Sequence, residues 1–504
     1  MNKIVSFFRK HEFLFFLIIF ALGAFLRFYR LSELPYGLNP DEASAGYEAF
    51  SILNYGIDRN AYRYPVLLKS WGSGQNVLYT YLTIPFVFIL GLNVLSVRLP
   101  MAMVSTLSLL VFWLLCRKSR GKGFAIVSLF FLSIAPWHIL SARWALESNL
   151  LPHILLFAIY FTVLAEERQV FLLPASFFFA LSLYAYGTAL MFTPLILLYS
   201  LWRLRKKIEI RYFLPAFLIF ILLGFPIVYC QLRNALHLPA TKILGLSLPA
   251  LNETRQSAVM GFGLCELFGN FFRALKVILL QSDGLTFNYS HTSGLYYPFG
   301  ILFLIAGIVT TLRKKEKPTA DSYFFAGLII SLFLCFFIKA NINRINFVWI
   351  FLSYFIALGI YNSAVFLGKF APLLPILFIL NLGIFAQDYV SGFNGNKLTY
   401  FYPGLGEAIE YVSEQNPKSA YITANINQPY IYILFYEKIS PHYFMENVSF
   451  YDDSAAFCYA KSLGKYNFEP SSADESEWLI LFKSEAHGLN IEKSFYNFAV
   501  VRKK

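Results

Sequence analysis

NVLYTYLTIPFVFILG, residues 76–91, is largely apolar but short for a membrane span, and Pro85 interrupts it. Whether it crosses a bilayer decides the orientation of everything that follows. A helix needs about 20 mainly apolar residues to cross the hydrocarbon. Eleven other segments approach that: 12–29, 97–116, 123–140, 150–165, 170–186, 188–202, 212–230, 298–312, 322–338, 345–362 and 370–386. If 76–91 stays outside the bilayer, the blocks RKSRGK (117–122), EERQ (166–169), RLRKK (203–207) and RKKEK (313–317) share the side of the N-terminus. If it spans, those blocks face outward while the N-terminus stays inside. Basic loops are retained inside, so the segment reads as a juxtamembrane helix on the outer surface. The expected fold is an α-helical polytopic membrane protein of about eleven transmembrane helices, N-terminus inside and C-terminus outside.

Composition agrees. The chain has 504 residues, 57% hydrophobic and only 14% charged, against about 25% charged in soluble proteins. Lys3, Arg9 and Lys10 precede an apolar run that continues to Leu26 without a small-residue cleavage site, which reads as a retained anchor. Before residue 387 there are 32 Lys and Arg against 15 Asp and Glu. That excess reports membrane topology and argues against nucleic acid as a partner. The five cysteines show no metal-ligand or CxxC spacing.

This topology delivers to one membrane face the loop 30–96, the turn SARWALESN (141–149), the loop 231–297, the turn KANINR (339–344) and the tail. The expected division is a transmembrane domain, 1–386, and an extracytoplasmic α/β domain, 387–504. In the tail, LGEAIEYVSEQ (405–415) has helical spacing, and SAYITAN (419–425), EWLILFKSE (477–485) and KSFYNFAVVRK (493–503) read as strands. PYIYILFYEKI (429–439) fits either. Within 231–297, the run 260–281 is amphipathic and suits a helix along the membrane. Span interiors carry almost no charge. Instead the outer ends collect Asp41, Glu42, Lys69, Arg98, Arg143, Glu147, Asp283, His291 and Arg344. A coupled transporter would more often bury ionisable groups near the midplane.

The stretch GLNPDEASAGYEAF (37–50) sets two carboxylates just beyond the first span. Asn39 suits an N-cap and Pro40 the first helical position, which puts Asp41 and Glu42 at the second and third, near the positive helix end. A capped carboxylate is also held rigidly, so capping and chemistry are compatible.

LRFYRLSELPYGLNPDEASAGYEA (26–49), WGSGQNVLYTYLTIPFVFILGLNVLSVRLP (71–100), APWHILSARWALESN (135–149) and HTSGLYYPFGILFLIAG (291–307) together resemble GT-C class glycosyltransferases. The nearest in pattern are the family 39 and protein O-mannosyltransferase-like group and the aminoarabinose transferases. The resemblance covers about residues 20–390 and implies sugar transfer from a polyprenyl phosphate to an acceptor hydroxyl, usually with inversion. It implies Asp41 as general base, Glu42 orienting it or the acceptor, and Glu147 at a second acidic position where that family often has Asp. Cations would stabilise the leaving phosphate. Arg98 and Arg344 are the leading candidates, followed by Lys69, Arg143 and His291; Asp283 is a candidate for orienting the sugar. No cofactor or metal is expected. The implied partners are a polyprenyl-phosphate sugar, a glycan, lipid or protein acceptor, and membrane lipid, at the plasma (inner) membrane. A lipid or polysaccharide transporter, and a ligase or polymerase using a pyrophosphate-linked glycan, are the competing readings.

Overall fold

The computed structural model describes residues 11–254, 263–313, 318–392 and 400–503. The chain divides into two compact units. The first comprises Met1–Tyr29, Met101–Val228 and Val259–Val390; the second comprises Arg30–Pro100, Tyr229–Ala258 and Ser391–Lys504.

Each of the eleven segments expected to span contains a helix in the first unit or running into it. Length and composition qualify five of these as membrane-crossing: Val94–Arg120, Glu147–Ala165, Ile210–Ala235, Asn346–Phe370 and Leu373–Ser391. A bent pair, Lys122–Ile134 and Pro136–Ala142, makes a sixth if counted as one span, and the other expected spans are shorter helices. Large side chains such as Leu222 and Phe366 stand 69% and 90% exposed. Apolar surface of that kind belongs in lipid, and the chain is an integral membrane protein. Helix Gly300–Arg313 packs on Trp349–Leu367 so closely that a Cβ on Gly307 would lie 1.9 Å from the carbonyl oxygen of Phe355. Glycine is what lets the two backbones meet there.

The bent pair shows how buried polar backbone is satisfied in this unit. The sequence expects one span over 123–140, but Pro136 has no N–H and breaks the helix, with a 58° bend. Three carbonyls at the break lose their helical partners. Arg27 donates to the carbonyls of Leu132 (3.2 Å) and Ser133 (3.0 Å), and the Tyr297 hydroxyl donates to that of Ile134 (2.7 Å). Trp137 N–H turns to the carbonyl of Leu295, at 2.9 Å. Arg27 is thereby buried without leaving an orphaned backbone group.

In the second unit the helix Pro40–Tyr55 packs against Leu78–Leu90 and Pro429–Tyr436. A Cβ on Gly46 would meet Val97 Cγ2 at 2.5 Å and Phe435 Cε2 at 2.8 Å, so that face admits no side chain. The 76–91 segment is the helix Leu78–Leu90, with Pro85 inside it, and it groups with the 30–100 loop rather than with the spans. The tail joins the same unit. Tyr432 Oη donates to the carbonyl of Leu38 (3.0 Å), Tyr47 Oη to that of Ile439 (2.7 Å), and Leu38 N–H to that of Phe401 (2.6 Å).

The tail's seven-stranded sheet runs Ile491–Phe495, Phe498–Arg502, Trp478–Phe482, Ala420–Ile422, Tyr466–Asn467, Ala460–Leu463, Val448–Phe450. Ala420–Ile422 is parallel to both its neighbours; the other pairings are antiparallel. The segment 405–415 is the helix Leu405–Glu414, and the ambiguous PYIYILFYEKI is the helix Pro429–Tyr436. KSFYNFAVVRK, read as one strand, is a hairpin that turns at Tyr496, where φ is +37°. The amphipathic run is the helix Leu264–Leu280; residues 260–262 lie outside the described residues.

Candidate active site

Asn39 caps the helix Pro40–Tyr55. Its Oδ1 accepts from Asp41 N–H (3.0 Å), while Glu42 Oε2 accepts from Asn39 N–H (3.1 Å), a reciprocal capping box with Pro40 at the first position. The helix ends where Gly56 takes a left-handed φ of +72°. Asp41 is therefore fixed at the second helical position, half-buried, near the positive end of the helix.

Glu42 and Arg98 are fully buried and paired, Nε to Oε1 at 2.9 Å and Nη2 to Oε2 at 3.0 Å. The remaining N–H groups of Arg98 go to the carbonyls of Leu31 (3.3 Å), Pro35 (2.9 Å) and Gly37 (2.8 Å). A guanidinium bonded in this way clamps the loop ahead of the helix, a second role beside the phosphate ligand expected from the sequence. Glu42 shares in that clamp. Its two oxygens hold Arg98 and the cap, which fixes the helix start.

Arg143 is bonded in a similar way in the first unit. It is buried and donates to the carbonyls of Leu26 (3.1 Å), Arg27 (3.1 Å) and Tyr29 (2.7 Å) at the end of helix Glu12–Phe28, and to Tyr389 Oη (3.1 Å). A cation there completes a helix C-terminus. Asp283 accepts from Leu285 N–H (2.9 Å), Asn288 Nδ2 (2.7 Å) and Ile342 N–H (2.9 Å), which ties its turn to the loop carrying Arg344. Asn346 extends that network. Its Nδ2 donates to Ser148 O (3.0 Å) and Asn149 Oδ1 (2.8 Å), beside Glu147 at the start of helix Glu147–Ala165, and its Oδ1 accepts from Trp137 Nε1 (3.1 Å). Glu147 is buried and Arg344 half-buried, while His291 is exposed with its ring 4.9 Å from that of Tyr289. One set of bonded loops in this unit thus gathers Glu147, Asp283 and Arg344. Lys69, half-buried, belongs to the second unit, on the turn before Trp71.

Sequence reasoning missed the groups around Trp71. Trp71 Nε1 lies 3.4 Å from Asp41 Oδ1, and the Arg59 guanidinium sits 4.5 Å from the Trp71 ring centroid. Arg59 contacts Glu48 Oε1 at 3.1 Å, its own N–H donates to Glu48 Oε2 (3.0 Å), and Asp58 lies beside it. All three are buried. Their signal was available as Glu48 on the helix of Asp41, with an acid and a base adjacent at 58 and 59.

Burial pushes the carboxyls of Glu48 and Asp58 above the usual range, and the charge of Glu48 pushes Asp58 further. A raised folded-state value means that the native protein holds the proton more tightly than the unfolded chain. Stability is therefore lost as pH rises from about 4 toward the raised value. Asp58→Asn keeps the oxygen that accepts from Asn60 N–H (2.9 Å) and Tyr62 N–H (2.8 Å) and removes the charge. It is expected to stabilise the protein at pH 8 by on the order of 1 kcal/mol, with the gain vanishing near pH 4; thermal unfolding across that range measures it.

No protein-family model matches the chain, and no curated protein matches it by sequence. Solved structures do match by shape. ArnT from Cupriavidus metallidurans bound to undecaprenyl phosphate superposes with a TM-score of 0.57 at 11% identity, over 96% of this chain and 97% of that one. The Archaeoglobus fulgidus oligosaccharyltransferase tethered with an acceptor peptide gives a TM-score of 0.53 at 13% identity, over 86% of this chain and 64% of that one. Archaeal AglB from the same organism, in complex with an inhibitory peptide and a dolichol-phosphate, gives 0.53 at 12%, over 94% and 70%. The chain has the GT-C fold. At these identities the likeness carries the architecture alone; the chemistry has to come from the residues.

Proposed function

We propose that this protein is a membrane glycosyltransferase that moves a sugar from a polyprenyl phosphate to an acceptor hydroxyl, with inversion, at the outer face of a bacterial plasma membrane. The reading includes eleven crossings, with the N-terminus cytoplasmic and the tail outside. The observation that carries it is Asp41, held half-buried at a capped helix start by a buried Arg98–Glu42 clamp, in a chain of GT-C fold. So much fixed structure around one carboxylate suits a base that must meet a hydroxyl in a defined geometry.

In the proposed reaction Asp41 takes the acceptor's proton as its oxygen attacks the anomeric carbon. The bond from that carbon to the phosphate oxygen breaks, and its electron pair leaves with polyprenyl phosphate. Arg344, His291 and Lys69 are the cations proposed to meet the growing phosphate charge. Glu147, in the first unit, is proposed as a second acidic group on the sequence resemblance alone.

A panel of radiolabelled polyprenyl-phosphate sugars, offered to the full-length protein in nanodiscs with an envelope extract, tests the reading. Transfer from one monophosphate sugar is the expected result. Transfer only from a pyrophosphate-linked glycan, or label carried across a sealed bilayer without transfer, would replace it with ligase or transporter chemistry. Arg344→Ala should raise KM for the sugar donor about tenfold or more, as loss of a charge-assisted hydrogen bond does, and leave the fold in place.

A further inference from the structure

The Arg59–Trp71 pair has no part in the reaction as written, yet it is the best-organised feature beside Asp41. Trp71 is 1% exposed. Its ring takes the Arg59 guanidinium at 4.5 Å and stacks on Phe457, with 6.5 Å between centroids and 24° between planes. Its one polar atom, Nε1, points at Asp41 Oδ1 across 3.4 Å. That is long for an N–H···O bond, as bonds at catalytic groups often are before substrate binds. The pair is held from three segments of the chain. Arg59 is held by Glu48 and by Ser70 Oγ (3.0 Å), Ser70 lies on the turn that carries Trp71, and Glu48 lies two turns along the helix of Asp41. Cys458 N–H donates to the Trp71 carbonyl at 2.8 Å, which fixes the turn from the tail side.

We propose that Trp71 and Arg59 form a positioning relay that sets both the orientation and the proton affinity of Asp41. A cation over an indole face draws electron density from the ring and makes its N–H a better donor. A donor aimed at the carboxylate favours the ionised form, the form that a general base needs. Other charged or titratable groups border Asp41. Glu42 adjoins it in sequence but is neutralised by Arg98; Tyr432 of the helix Pro429–Tyr436 feels both carboxylates; Lys69 precedes Trp71 on its turn. None of these is disturbed by substitution at Trp71.

The inference rests on Asp41 as the base, but its test needs no turnover. The full-length protein in nanodiscs is titrated by infrared difference spectroscopy on the carboxyl C=O band. In each background the Asp41→Asn spectrum is subtracted, so that only the Asp41 proton is read. Trp71→Phe keeps a ring between Arg59 and Phe457 and loses only the N–H; it should raise the midpoint by about one pH unit. The double variant Glu48→Gln, Arg59→Met replaces the ion pair with neutral side chains of similar length and should raise it by less. Arg59→Lys, which keeps a cation over the ring, should leave it in place. An unmoved midpoint in either of the first two variants overturns the relay and leaves Trp71 a packing residue. Full activity of Asp41→Asn in the transfer assay would instead remove the base itself, whatever the titration shows.

Discussion

Arg98→Ala is expected to destabilise the protein by about 3–5 kcal/mol, the cost of breaking a buried ion pair by removing one partner. Glu42 would remain fully buried without its cation, and the carbonyls of Leu31, Pro35 and Gly37 would each lose a donor. Lysine cannot replace the fork geometry, so Arg98→Lys should recover little of this. Replacing both partners with methionine should cost less than either single change, because no charge is then stranded. Thermal unfolding in detergent separates the two roles considered for Arg98. A clamp loses stability on substitution. A phosphate ligand keeps its stability and binds the sugar donor more weakly.

The second large effect lies at Asp41. Asn39, not Asp41, supplies the cap, so Asp41→Asn should cost at most about 1 kcal/mol through the helix dipole. The transfer rate should fall by about 10²–10⁴, the range attributed to a positioned general base. Sugar-donor binding should be unchanged, because the proposed phosphate ligands are cationic side chains that the substitution leaves in place. A catalytic loss without a folding loss is what distinguishes this carboxylate from its neighbour Glu42.

The capping box was legible because it is local: Asn39, Pro40 and Glu42 stand at positions with known helix-start chemistry. Hydropathy likewise located every helix of the first unit that was expected to span, since a long apolar run declares itself. Partner choice was not legible. Arg98 and Arg143 both read as surface cations beside a membrane, and only the fold shows one closing on Glu42 across 56 positions and the other on carbonyls more than 100 residues away. Nothing local to Pro136 tells that Arg27 and Tyr297 will replace the hydrogen bonds it breaks. Trp71 was hidden for a related reason. A tryptophan in a Gly-rich turn of an aromatic-rich chain is unremarkable until its N–H is seen directed at a carboxylate.

Asp41 is, on this proposal, the base of a sugar transfer. The most direct measurement is single-turnover transfer from the polyprenyl-phosphate sugar that the panel identifies, by wild type and Asp41→Asn in matched nanodiscs, with donor binding measured on the same preparations. Equal binding with transfer confined to wild type is the expected result. Equal transfer by both proteins would contradict it and leave Asp41 as part of a helix start.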